Sequence, residues 1–583
     1  MKKQKALLVA TGQRSTWPVQ KVPFVFLGAW CKEFDHKNRH AFSKHFEWPY
    51  HWNDREKAQQ DCIKIEKLYQ ENISYLGDYL NKQNNVNHTT RFWKIVAGPW
   101  FRRFLMVAFD RWEILTRCWQ SKGISEVSLE NCPPTPMLAK TTHEFVMQTV
   151  SDEWNNEFFG QLCSYLKIPK RIVKKNVIQK NAHSSAKINF REWVKILKEK
   201  FISMLSANDK YCFCETFLSS RDETMLNILC NQIPKKLKFN LKIKENAQIN
   251  SRINIVLCKK TKSDFKIFLS CILPRYIPKA FLEDFAEYVK LALTFGPKNP
   301  NIIFTSNSHV YNELFKYYAA HKIEKGSKLI IAQHGGFYGL GSWGSEEKHE
   351  IEICDSYLTW GWKNKNKKVI PFGILSYYKN KKTASKSNKL LFIQNATHKY
   401  TFYNASFPMS TSQWQVYFNE QKRFLKTLPA AVLQKTYIRL IPKFQPHNEQ
   451  AVWKKALPNI KFESSPHSFS RFMHKYTLAV VSYQGTPFNE LLYNNFPVVA
   501  FWNSKIWEIR KSAEPFIQEL KDAGVLHETP ESASQFIQKN WDFITEWWGK
   551  PCVQKARHTF CKQYAKDNKK LIKKLQQIFK KCL

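Results

Sequence analysis

The stretch Leu329 to Gly344, LIIAQHGGFYGLGSWG, constrains the fold of this chain more than any other part of it. A short apolar run reaches a histidine, and paired glycines follow. Such a run is a buried strand opening into a loop whose backbone, bare of Cβ atoms, can approach something closely. His334 then stands at the strand's carboxyl end, where open α/β sheets bind their ligands. A second turn of this kind lies at Val480 to Leu492 (VVSYQGTPFNELL), where another apolar run ends at a glycine and a helix begins.

The same alternation extends through the chain. Ala6 to Ala10 reads as a strand that breaks at Thr11-Gly12-Gln13-Arg14-Ser15, and Val22 to Leu27 as a second that ends at Gly28. From Asn301 the pattern is regular: a strand over Ile302 to Thr305, a helix over His309 to His321, a strand over Lys328 to Gln333, then short runs at Asp355 to Trp360 and Val369 to Phe372. Beyond the polar segment Asn380 to Asn388, strands are predicted at Leu390 to Gln394, Tyr437 to Ile441, Leu478 to Ser482 and Val498 to Trp502, with helical stretches between them. Strand and helix alternating at this spacing predict a parallel, doubly wound sheet. Asn53-Asp54 caps a helical segment through Leu80, Arg91 to Trp119 is rich in aromatic residues, and Lys167 to Lys200 is lysine-rich without a clear period.

The predicted class is therefore α/β with two Rossmann-like domains. The first spans 1–375 with a helical insertion over about 50–300, a linker covers 376–388, and the second domain covers 389–550. A basic amphipathic helix over 551–583 follows, with Leu571, Leu575, Ile578 and Phe579 at helical spacing among lysines. That apolar face packs against the domains or lies on an anionic membrane.

Bulk properties narrow the function. A chain of 583 residues needs more than one core, and 43% hydrophobic with 15% aromatic content excludes a disordered polymer. The net charge of +43 points to an acidic partner, whether nucleic acid, an anionic bilayer or phosphorylated and carboxylated sugars. A lysine-rich, solvated surface is the plainer account. No helix-turn-helix, RRM, KH or zinc-finger signature appears, so nucleic acid is not the expected partner. Ala6 to Ala10 is too short for a secretory segment, and no apolar stretch approaches the roughly 20 residues that span a bilayer. A cytoplasmic location follows, with peripheral contact on the inner membrane as an alternative. The fourteen cysteines include no C-x-x-C pair, and neither disulfides nor a structural metal is expected.

At the second turn, Gly485 permits the tight bend, Thr486 is placed as an N-cap and Pro487 as the first helical residue. The free N–H groups of that helix start, with the hydroxyls of Ser482 and Thr486, make an anion site suited to phosphate. Glu490, one turn on, can bond a ribose diol. The plainer account is an ordinary capped βα turn. At the first turn, the His334 imidazole can donate to a phosphate oxygen, and the flanking Gly335 and Gly336 leave little for a core histidine to pack against. Gly339-x-Gly341-x-x-Gly344 matches the dinucleotide fingerprint in form only, because acidic Glu346 and Glu347 come where a pyrophosphate helix should begin.

Glu346, His349, Glu350 and Asp355 form a titratable cluster from which a carboxylate can serve as general base or orient a histidine. His349-Glu350 lacks the second histidine of a zinc motif. Arg439 and Lys443 flank a strand's carboxyl edge, and Arg510 is a further candidate anion clamp. No Asp-x-Asp pair and no P-loop occur, which argues against metal-carried diphosphate chemistry and P-loop NTPases.

Several of these residues fall into an ordered set. Thr11 through Trp17, Leu27-Gly28-Ala29-Trp30-Cys31, Gly98-Pro99-Trp100 and Asp110-Arg111-Trp112 are followed by Gln333-His334-Gly335-Gly336, His349-Glu350 and Trp360-Gly361-Trp362. Gly485-Thr486-Pro487-Phe488-Asn489-Glu490 and Trp547-Trp548 complete it. Nearly the whole chain thus resembles the surface-carbohydrate transferases of O-antigen and related polysaccharide loci. These share the GT-B arrangement with capsule Kdo transferases and, more distantly, CDP-glycerol polymer transferases. The resemblance implies two Rossmann-like domains across a cleft, with the acceptor on the first and the nucleotide-linked donor mainly on the second. His334 and the Ser482 to Glu490 turn would hold the donor's phosphate and ribose. In that family the strand before Gly-Thr often ends in an acidic residue. Here the segment reads Ser482-Tyr483-Gln484, so no carboxylate role carries over to it.

The resulting expectation is a metal-independent GT-B glycosyltransferase with a nucleotide-sugar co-substrate and no resident cofactor. A CMP-linked ulosonic acid, Kdo- or sialic-acid-like, is the favoured donor, because it carries one phosphate and leaves without metal assistance. The acceptor would be a surface polysaccharide, lipopolysaccharide or glycoprotein. Catalytic residues are expected among His334, Glu346, His349 and Glu350, and donor-binding residues among Gly335, Gly336, Arg439, Lys443, Ser482, Gly485, Thr486, Glu490 and Arg510. A CDP-alditol phosphotransferase and a basic nucleic-acid-binding protein are the rival readings.

Overall fold

The computed structural model describes residues 5–18, 22–32, 46–131, 137–174, 201–239 apart from 203, the single positions 243, 246, 252, 255 and 257, and then 263–375, 387–400, 409–441, 444–465 and 469–583. Among these residues the strands form three sheets, and every pairing within them is parallel.

The first sheet has the order β3-β2-β1-β4-β5, from Ala6–Val9 (β1), Phe24–Phe26 (β2), Phe46–Glu47 (β3), Ile124–Glu130 (β4) and Lys170–Val173 (β5). The last sheet has the order β13-β12-β11-β14-β15-β16. Its strands are Leu390–Ile393 (β11), Thr436–Arg439 (β12), Lys461–Phe462 (β13), Leu478–Val481 (β14), Val498–Phe501 (β15) and Leu526–His527 (β16). Both follow the doubly wound Rossmann order, which reverses between the first and fourth strands and opens a crevice beyond their carboxyl ends. These are the two Rossmann-like sheets that the alternation of strand and helix predicts.

The middle sheet was not expected as a separate unit. Its order, β10-β9-β8-β7-β6, never reverses. It is built from Tyr211–Cys214 (β6), Ile302–Thr305 (β7), Lys328–Ala332 (β8), Ser356–Thr359 (β9) and Val369–Pro371 (β10). The predicted insertion over about 50–300 is helical at first, through Arg55–Asn84, Thr90–Val96 and Gly98–Gln120. Further on it is not: β4 and β5 complete the first sheet and β6 opens the middle one. Runs of four residues such as β5 and β6 leave too few turns of any period to stand out among helical neighbours. The predicted cap at Asp54 is present, its carboxylate accepting from Lys57 N at 3.1 Å. The linker expected at 376–388 falls mostly outside the described residues.

The terminal segment forms two helices, Pro551–Tyr564 and Leu571–Cys582. The second crosses back to the middle sheet. Leu575 and Phe579 are fully buried there, with the Phe579 ring 5.8 Å from Phe213 and 5.4 Å from Phe304. Its apolar stripe thus covers one face of that sheet and does not face outward. No helix among the described residues is long and apolar enough to cross a membrane.

Candidate functional site

The two glycine turns meet. Gly336 follows β8 and its N–H donates to Thr486 Oγ1 at 3.0 Å, joining the carboxyl edge of the middle sheet to that of the last. The approach is close enough to require glycine: a Cβ at 336 would lie 2.9 Å from Thr486 N, 3.0 Å from Asn489 Oδ1 and 3.0 Å from the Gly485 carbonyl carbon. The N-cap of the helix Thr486–Tyr493 is Gly485 rather than Thr486, which begins the helix, and the Thr486 hydroxyl is an acceptor for the opposite turn. The positive end of this helix therefore points into the junction.

His334 occupies the same turn and is 18% exposed at its side chain. Its Nε2 lies 3.3 Å from the Tyr338 hydroxyl and its Nδ1 3.6 Å from Glu350 Oε1. Glu350, on the helix Ser345–Ile353, is 1% exposed and gathers four neighbours. Tyr357 donates to Oε2 at 2.8 Å, Tyr338 donates to Oε1 at 3.2 Å, and His309 Nε2 lies 3.1 Å from Oε1. Burial raises the Glu350 carboxyl from 4.5 to about 7, opposed by the adjacent His334 and by the Tyr357 hydrogen bond. Burial also pushes His309 down to about 3 and Tyr338 well above the usual tyrosine range. The result is a partly exposed imidazole backed by a buried carboxyl that titrates near neutrality. A constellation of this kind can accept a proton and stabilise the cation formed.

Other expected residues are engaged elsewhere. Arg439 donates to the carbonyls of Glu463 at 3.3 Å and Ser465 at 2.6 Å and lies over the Phe472 ring, so it clamps two backbone segments rather than an anion. Arg510 donates to Gly341 O at 2.8 Å and pairs with Glu347 at 2.8 Å, tying the last sheet's domain to the glycine loop. The Ser482 hydroxyl is buried between Ile393 O at 3.2 Å and Tyr417 OH at 2.9 Å, and so does not belong to an open phosphate site. Glu346 pairs with Arg103 and accepts from Tyr338 at 3.4 Å. Asp355 accepts from Arg91 and from Leu329 N, each at 2.8 Å, and holds backbone in place. His349, 4% exposed, faces a cavity behind Glu350. Glu490 sits in the second turn of its helix, half-buried. Lys443 lies outside the described residues. Arg439, Arg510 and Ser482 were misplaced for one reason: position at a strand end is visible in sequence, but the partner that claims the side chain is not.

Sequence reasoning gave the supporting groups no role. Gln333 accepts from Trp360 N at 2.9 Å and Trp362 Nε1 at 2.8 Å and donates to Gly335 O at 2.8 Å, which fixes the turn that carries His334. Its place directly after the strand was the available signal. His309 and Tyr357 carry no motif and reach Glu350 only through the fold. At the reversal point of the last sheet, Gln484 is 1% exposed with both amide atoms unpartnered, and Gln394 leaves its Nε2 unpartnered. Among the described residues one group could hold a metal, His88, His321 and Glu324, but none of these takes part in the cluster around Glu350.

The fold has loose relatives among solved structures. MurG of Acinetobacter baumannii overlays at a TM-score of 0.27 with 11% identity, over 82% of this chain and 95% of that one. MnaA of S. aureus with UDP overlays at 0.35 with 10% identity, over 64% and 97%. WaaG, a glycosyltransferase involved in lipopolysaccharide biosynthesis, overlays at 0.24 with 12% identity, over 48% and 75%. Overlaps this loose add nothing to the sheet topology. No curated protein matches the sequence. A family model described as LIC12162 family transferase matches residues 6–579, nearly the full length, and the chain belongs to that family of transferases.

Proposed function

We propose that this transferase moves a sugar from a nucleotide-linked donor to a surface glycan, with a CMP-linked ulosonic acid as the donor. The observation that carries the proposal is the junction itself: Gly336 bonded to Thr486 at 3.0 Å, with the His334–Glu350 pair two residues away. The donor phosphate would rest against the helix start at Thr486 and the bare backbone of Gly335 and Gly336. Since Glu350 is buried, it acts through His334. The imidazole takes the acceptor hydroxyl's proton while the helix start stabilises the departing phosphate.

One phosphate suits this junction better than two. With Arg439 and Arg510 engaged elsewhere, the charge facing the anion comes from the helix dipole, about half a unit. Turnover without a divalent metal is part of the same proposal, and undiminished rates in EDTA are the expected result. The acceptor is a polysaccharide, lipopolysaccharide or glycoprotein glycan met at the cytoplasmic face of the inner membrane, through peripheral contact with its anionic surface.

A thermal-shift screen against CMP, CDP, UDP, GDP and dTDP compounds tests the donor class. A ligand at a hundred times its Kd stabilises the fold by about 2.7 kcal/mol. Stabilisation by a cytidine monophosphate is the expected outcome, and no response to any nucleotide would remove the proposal. Phosphorus retained in the product would move the chain to alditol-phosphate transfer.

A further inference from the structure

Behind Glu350 lies a cavity of about 40 Å³. Its walls come from four helices: Arg55–Asn84 and Gly98–Gln120 on one side, Ser308–Tyr311 and Ser345–Ile353 on the other. Three side chains on that wall have buried polar atoms without hydrogen-bond partners: both ring nitrogens of His349, Nδ1 of His309 and the hydroxyl of Tyr69. Their exposures are 4%, 1% and 1%. The Arg102 guanidinium lies over the Tyr69 ring at 4.5 Å but is engaged by Glu66 and by Ser345 O. Gly98 makes the gathering possible, since a Cβ there would sit 2.8 Å from both the Tyr69 hydroxyl and His349 Cε1.

Each buried polar group left unpaired costs about 1–3 kcal/mol. Three around one space form a set that water satisfies, because a buried water needs only about 10–15 Å³ and two to four polar partners. The cavity also adjoins the reacting centre. Glu350 is part of its wall, and His309 joins the two, with Nε2 against the carboxyl at 3.1 Å and Nδ1 left for the cavity. Glu66 and Glu346 line the same space and are only half-buried, which gives it a rim toward solvent.

We propose that this cavity holds ordered water and is the passage by which Glu350 exchanges protons with solvent. The inference rests on the sugar-transfer reading. In each turnover the acceptor oxygen bonds to the sugar's anomeric carbon, the bond from that carbon to the phosphate oxygen breaks, and its electron pair leaves with the nucleotide. The acceptor's proton goes to His334 and is shared with Glu350. From Glu350 it reaches bulk water through cavity water held by His309, His349 and Tyr69, and the site is reset. His309, His349 and Tyr69 are positioning residues for this water and do not touch substrate.

Two measurements test the passage. The first is a high-resolution crystal structure of the free protein. Water bonded to at least two of the three groups is expected, and a dry cavity overturns the proposal whatever the chain transfers. The second is steady-state, multiple-turnover kinetics of Tyr69→Phe and His349→Phe at rising buffer concentration. Slowing by about tenfold or more, restored as small buffer bases accept the proton in place of the passage, is the expected result. Wild-type rates with no buffer dependence in both variants overturn it. Tyr69→Phe retains the ring and its packing, which separates the hydroxyl from the fold. Failure of the wild type with every donor would count against sugar transfer alone.

Discussion

Glu350→Gln separates the charge of the buried carboxyl from its shape. In the fold burial raises this group from 4.5 to about 7. Between those values the folded protein binds more protons than the unfolded chain, so stability falls as pH rises through the window. The contribution is fully present below pH 4.5 and lost once the pH passes 7. A gap of about two and a half pH units, at about 1.4 kcal/mol each, amounts to about 3–4 kcal/mol. Glutamine does not titrate, and its amide presents one donor where Tyr357, Tyr338 and His309 meet acceptors. That mismatch adds a cost that is the same at every pH. Denaturant unfolding of wild type and Glu350→Gln at pH 5 and pH 8 isolates the titrating part. The wild type's stability relative to the variant should fall by about 2–3 kcal/mol between the two conditions. Turnover by the variant should drop by about a hundredfold, because His334 loses the carboxylate that stabilises its cation. A stability difference that does not change with pH would refute the account of Glu350, whatever happens to activity.

Other outcomes follow from the same contacts. Gly336→Ala should cost about 1–3 kcal/mol by thermal or denaturant unfolding, since its Cβ meets the backbone of Gly485 and Thr486 as well as the Asn489 amide, and donor binding should weaken with it. Thr486→Val removes the acceptor for Gly336 at nearly constant shape. A loss of about 0.5–1.5 kcal/mol in stability is expected, with weaker nucleotide binding by calorimetry. Arg439→Ala should leave nucleotide affinity unchanged within about twofold, since only a lost phosphate contact would cost the 1.5–3 kcal/mol of a charged hydrogen bond. Phe579→Ala should destabilise by about 3–5 kcal/mol by uncovering the middle sheet.

Local sequence carried the elements and the turns. Apolar runs ending in glycine located β8 and β14, Asp54 marked a helix start, and the alternation after Asn301 gave parallel strands, because each of these signals lies within a few residues of its cause. Through-space partners could not be read in this way. Arg439 and Arg510 stand where anion-binding arginines would stand, yet carbonyls and Glu347, the latter 163 positions from Arg510, had already taken them. Glu350 was one of several titratable residues between Glu346 and Asp355 until the fold enclosed it with His309, Tyr338 and Tyr357. The five strands of the middle sheet are individually too short to declare which sheet they join, and pairing assigned them. The chain's own periodicity thus determined that it forms Rossmann-like sheets with glycine turns at their carboxyl edges. Tertiary structure alone decided that two of those turns touch and that one carboxyl is buried behind one imidazole, because burial and partner choice depend on residues that only folding brings together.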